Sequence, residues 1–297
     1  MQSHPQNISR EGLALLLCLA LGWGINWPIM KMVVASIPPL SFRGFCLFFG
    51  GLGILAIARA SGLRTRIPQG YWPKLLWLCL FNIIGWNLLA TYGLSMLPSG
   101  RAALLGYTMP LWGMILSVWL LHENFGRHHA LAMLLGMSGI AVLMSQSIDN
   151  LLQTPVGALL MIAAAWCWAA GMVLMKRWQI PLNTVALTGW LLFLSSLPML
   201  VAALLVDGLP QSQPSNAVIF GLVYNVFIAF MLCYWAWNRL VFLLPVNVSS
   251  LSSLLTPLIG VISGVIMLNE SLGWREYLAV VLILGAVAAA NRNKKAG

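Results

Sequence analysis

Charge is scarce in this chain. Of its 297 residues only 7% are Asp, Glu, Lys or Arg, while 60% are hydrophobic; a soluble domain carries about 25% charged residues. So few charges cannot cover a chain of this length against water. A soluble globular enzyme is excluded, and the solvent is lipid. Acids are scarcer still, 6 against 16 basic residues, for a net charge of +10. No basic stripe with interleaved aromatics accompanies that excess, which argues against nucleic acid as a partner and for cationic loops at a membrane face. The five cysteines, Cys18, Cys46, Cys79, Cys167 and Cys233, stand singly inside apolar runs with no CxxC pair. They read as small buried hydrophobes. His122, His128 and His129 cluster without HExxH spacing or a nearby Cys, so no metal and no cofactor is expected.

What the sequence has in abundance is long apolar runs. A helix needs about 20 such residues to span the hydrocarbon core, and ten stretches qualify: 12–34, 40–58, 73–94, 98–121, 129–147, 156–176, 182–206, 217–238, 246–268 and 274–291. The first is too long for a cleavable signal and no small-residue cleavage site follows it. Cations separate by side. Arg10, the Arg59–Lys74 loop, Arg127, Lys176, Arg177, Arg239 and the C-terminal Arg292, Lys294 and Lys295 fall on one face, against Lys31, Arg43, Arg101 and Arg275 on the other. The positive-inside rule then predicts ten transmembrane helices with both termini cytoplasmic, in an all-α multi-pass protein of a bacterial inner membrane.

The sequence also matches itself. Sliding it along its length pairs Pro110 with Pro257, Gly113 with Gly260, Glu123 with Glu270 and Gly126 with Gly273; a slightly different register pairs Trp23 with Trp168 and Lys31 with Lys176. Two halves follow, 1–147 and 148–297, each of five helices. An odd number makes the second half enter from the opposite side, so the repeat is inverted. Inverted repeats place a substrate site between the halves near the midplane, with alternating access by their rocking.

Ten spans in two halves, Trp23-Gly24 followed by Lys31, and a proline separated by twelve residues from both Glu123 and Glu270 together resemble the drug/metabolite transporter superfamily, EamA type. The likeness runs over nearly the whole chain. It implies a central cavity surrounded by helices 1–4 and 6–9, with 5 and 10 peripheral. It also implies export of amino acids or other small metabolites, as in the family's aromatic-amino-acid exporter.

Residue by residue, no Asp or Glu falls in the middle of a span, so no proton relay is in view. Glu123 and Glu270 close the fourth and ninth helices, where helix capping or pairing with Arg127 and Arg275 competes with gating. Lys31 and Arg43 flank the first outer loop and are expected to snorkel to the interface; the alternative is that one binds a substrate carboxylate or forms an outer gate. Pro28, Pro110, Pro198 and Pro257 interrupt apolar runs, and Pro110 and Pro257 are the candidate bending points. The cavity wall is assigned to Trp23, Asn26, Asn82, Trp86, Tyr107, Trp168 and Tyr224. Aromatics with a few amides and hydroxyls describe a small-molecule site, and an unpaired amide in hydrocarbon costs several kcal/mol.

The function expected is therefore export of small metabolites, amino acids first and aromatic or hydrophobic ones among them. Membrane lipids are the other partner, and the oligomeric state is not legible. The competing reading is a lipid or lipid-carrier flippase, or a membrane partner that transports nothing. An intramembrane enzyme would need a nucleophile–base pair or acid dyad at depth, and none is present in the sequence.

Overall fold

The computed structural model describes residues 10–122, 127–148, 155–207, 214–243, 256, 259–260, 262–269 and 272–290, and every regular element among them is helical. Lipid imposes that: each backbone N–H and C=O must be satisfied within its own segment. Most of the expected span 246–268 lies outside the described residues; among those described, seven helices are long and apolar enough to cross a membrane. These are α1 (Arg10–Val34), α2 (Pro39–Ala60), α3 (Trp72–Met96), α4 (Ser99–Leu121), α6 (Pro155–Trp178), α7 (Thr184–Val206) and α8 (Asn216–Leu240). Two more helices, α5 (Arg127–Ile148) and α9 (Trp274–Ala290), pack on each other.

Sidedness within each helix shows how the bundle is solvated. On α2, Phe42, Cys46, Leu47 and Ile54 are buried while Phe45, Phe49 and Leu52 are exposed. Both faces are apolar, so the outer one fits lipid as the inner one fits protein. α2 packs along α7, α1 along α8, and α6 against α3 and α4. Asp207, at the end of α7, accepts from the backbone N (2.9 Å) and Oγ (2.6 Å) of Ser41 in the first turn of α2. A carboxylate there meets the positive end of the helix dipole.

Three irregularities position the interior. α3 and α8 each contain a π-helical segment, Cys79–Gly85 and Asn225–Cys233. α4 breaks at a turn over Tyr107 and Thr108, between Ser99–Gly106 and Met109–Leu121, with Pro110 in the first turn of the second half. The prolines expected to interrupt α1 and α7 do not: Pro28 and Pro198 lie inside continuous helices. Pro28 has no N–H to give the carbonyl one turn back, and that Gly24 oxygen lies 3.4 Å from the Ser263 hydroxyl, which is also 3.1 Å from the Gly260 carbonyl. Pro257, an expected bending point, and Glu123 and Glu270, expected to cap or gate, lie outside the described residues.

Lys31 and Arg43 depart from the expectation that both snorkel. Lys31 Nζ donates to the carbonyls of Leu94 (2.8 Å), Ser95 (3.2 Å) and Leu97 (2.7 Å), at the C-terminal end of α3. A cation there satisfies orphan carbonyls and complements the dipole. Arg43, one turn into α2, is buried with 3% of its surface exposed.

Candidate functional site

Between α1, α2, α3, α4, α6 and α8 lies a cavity of about 760 Å³ of unfilled space, its open mouth included. Its wall is largely aromatic: Trp23, Trp27, Trp86, Tyr107, Trp168, Phe230, Tyr234 and Trp237, joined by Asn26, Arg43, Asn87 and Thr256.

One end is a cage of rings. Trp168 on α6 sits 6.0 Å from Trp23, 5.3 Å from Trp86, 5.8 Å from Tyr234 and 6.1 Å from Trp237, centroid to centroid. Trp23 is itself 6.0 Å from Trp237 and 5.7 Å from Tyr234. Edge-on and tilted contacts of this kind are favoured by the ring quadrupoles. The cage is tied down by Trp23 Nε1, which donates to the Ala229 carbonyl in the π segment of α8 at 3.1 Å. Gly106 makes room for it: a Cβ there would stand 3.2 Å from the Trp27 ring and 3.3 Å from that of Trp86.

The other end is cationic. Arg43 Nε donates to Thr91 Oγ1, which passes its own proton to the Asn87 carbonyl at 2.6 Å. Asn87 Nδ2 donates to the carbonyl of Ile83 (2.9 Å) and to Tyr234 Oη (3.2 Å), so a polar thread runs from the cation to the cage. One terminal nitrogen of Arg43 contacts Met30 Sδ. The guanidinium carbon lies 4.7 Å from the Phe42 centroid and 5.4 Å from that of Phe230, which stacks on Tyr234. Two buried polar atoms of cavity-wall residues, Asn26 Oδ1 and Trp168 Nε1, have no partner among the described residues.

Of the residues assigned to the wall, Trp23, Asn26, Trp86, Tyr107 and Trp168 line this cavity. Asn82 and Tyr224 stand elsewhere. Asn82 is buried in the π segment of α3 against Gly171 of α6, and Tyr224 Oη donates to the Gly22 carbonyl at 2.9 Å, joining α8 to α1. Arg43 was the less favoured reading at its position, and Tyr234 and Trp237 were not singled out. Phe230, Tyr234 and Trp237 recur at i, i+4 and i+7, a helical stripe that the sequence does display.

A wall of this kind inside an apolar helical bundle fits a membrane protein rather than a soluble receptor. The chain matches the EamA-like transporter family twice, over residues 10–145 and 155–292, and belongs to it. It is a multi-pass protein of the inner membrane and an EamA-type transporter. It is 28% identical to the uncharacterized transporter YvbV of Bacillus subtilis, over 98% of this chain and 95% of that one. It is 25% identical to a probable amino-acid metabolite efflux pump of Escherichia coli K12, over 93% of both. A solved crystal structure shares the fold with a TM-score of 0.70 at 19% identity, over 98% of this chain and all of its own.

Proposed function

We propose that the protein exports small organic metabolites, amino acids and their aromatic or hydrophobic relatives first among them, by alternating access of two inverted five-helix halves, 1–147 and 148–297. The observation that carries this is the cavity: a cage of indoles at one end, a short polar thread, and a buried cation at the other. The cage surrounds the apolar part of a cargo, and the few polar groups orient it.

Several features support the two-halved reading. The π segments occupy related places, in the third helix of each proposed half. α1 packs on α8 while α6, its counterpart, packs on α3, as a pseudo-two-fold axis in the membrane plane requires. The family match falls once on each half. Ten spans with cytoplasmic termini follow from the apolar runs and the cation bias. In this scheme Pro110 and Pro257 flex, and Glu123 and Glu270 gate or cap at opposite faces, Glu123 beside cytoplasmic Arg127 and Glu270 beside Arg275 on the other side. The efflux activity named for relatives suits amino acids as cargo.

The flippase alternative loses ground on one point. It needs a group of cations for a headgroup, and two of the three candidates are engaged elsewhere: Lys31 on α3 carbonyls, Arg101 on Glu276 at 3.0 Å. Purified protein in liposomes loaded with a panel of labelled amino acids and aromatic metabolites tests the proposal. Efflux of at least one cargo faster than from empty vesicles is expected. A panel that leaks at the same rate with and without protein overturns it.

A further inference from the structure

We infer that the cargo is recognised as a carboxylate, by Arg43, and that it needs no ammonium: the site takes an aromatic monocarboxylate anion. The inference rests on the transporter reading above and narrows its cargo. Arg43 carries its charge at every working pH, is 3% exposed, and meets a hydroxyl, a thioether and two ring faces. Its second terminal nitrogen has no hydrogen-bond partner among the described residues. A buried cation is normally paired. Among the described residues no carboxylate meets it: Glu11 is on Arg239, Asp207 on Ser41 and Glu276 on Arg101. The missing anion is supplied from outside, by whatever occupies the cavity.

Shape and polarity select among anions. Met30, beside Arg43, and Trp23, in the cage, are two turns apart on α1, about 10 Å. That spans an acid group, a short chain and one ring. A guanidinium binds a planar carboxylate through parallel N–H donors. The orphan Trp168 Nε1 offers a further donor, and the rings enclose the cargo's apolar end. An α-ammonium, by contrast, meets Asn26, Thr256 and ring faces, and among the described residues no acid lines the cavity. The deaminated acid fits the wall as well as the amino acid does or better.

Calorimetric titration of the purified full chain with four matched probes tests this: 3-phenylpropionate, its neutral amide, phenylalanine and 2-phenylethylamine. The acid is expected to bind at least about ten-fold more tightly than amide or amine, and no more weakly than phenylalanine. Arg43→Gln is expected to lose that preference while binding the amide as before, which also reports that it folds; if it does not fold, the wild-type series decides. Equal binding of acid and amide overturns the inference, as does phenylalanine binding much more tightly than the acid, or an Arg43→Gln variant that keeps the preference. Flux is read separately in liposomes. Anion binding with no flux of any cargo removes the transporter reading and leaves the carboxylate site. Flux of neutral or cationic cargo with no anion binding does the reverse.

Discussion

At the scale of the residue, two cations near the same loop have opposite fates. Lys31 is a long flexible stem ending in a point charge, and it wraps onto three carbonyls at the end of α3. Arg43 turns inward and is solvated by a hydroxyl and ring faces. Hydropathy placed both at the boundary and stopped there, because the direction a side chain takes is set by which neighbour offers carbonyls. Lys31→Met is expected to destabilise the protein by about 2 kcal/mol, through loss of charge-assisted hydrogen bonds, read by thermal unfolding in detergent. Trp168 was legible for another reason: its match with Trp23 in the repeat singled it out. Trp166, two residues earlier and just as apolar, is exposed. Trp168→Ala removes the ring shared by four aromatic contacts and is expected to flatten discrimination between aromatic and aliphatic cargo. Competition assays in liposomes check this, and unchanged selectivity would move the site to another face.

At the scale of the element, the apolar runs foretold helices well, and most boundaries fall within a few residues of the predicted ones. The interior breaks were not foretold. Proline marked candidate kinks at Pro28 and Pro198, yet bundle packing keeps both helices continuous. The π segments contain no proline at all and have no compositional signature. They are stabilised by contacts from other helices, and one such contact is testable. A Cβ on Gly171 would stand 2.6 Å from Asn82 Cα and 2.8 Å from its backbone N. Backbone cannot swing aside as a side-chain tip does, so Gly171→Ala is expected to cost about 1–3 kcal/mol. Gly285→Ala, whose new methyl would meet only Leu135 at 3.7 Å, is the tolerated control. Equal melting temperatures for the two variants would refute the close packing of α6 on α3.

At the scale of the whole molecule, the charge inventory decides the driving force. No acid lies in the middle of a predicted span, so transport is expected to run without a raised-pKa carboxylate that couples export to protons. Glu123→Gln and Glu270→Gln are expected to leave substantial downhill flux; loss of flux in both, with folding intact, would reveal a carboxylate mechanism. An anionic cargo brings its own coupling. Each charge crossing the membrane is worth about 2.3 kcal/mol per 100 mV, roughly a fifty-fold gradient. An interior-negative potential imposed with valinomycin is expected to speed efflux of 3-phenylpropionate and leave phenylalanine, a zwitterion, nearly unaffected. The proposed plan of two halves rests, in the sequence, on paired Pro and Glu that rarely coincide by chance. The cavity's cationic end was not, since it is assembled from α1, α2 and α3 across the bundle.

The ring cage has an optical consequence. Trp23, Trp86, Trp168 and Trp237 form a chain of indoles whose neighbours lie 5.3–6.1 Å apart and are inclined by 48–87°. Transition dipoles this close and this skewed exchange excitation, so light absorbed by one ring is shared by all. Near-ultraviolet circular dichroism, which reports fixed side-chain packing, therefore carries a strong signal from this one place. Trp168 is the hub, and Trp168→Phe collapses the signal further than loss of one of 14 tryptophans would. A cargo that wedges between the rings rewrites the spectrum, which makes the protein its own dye.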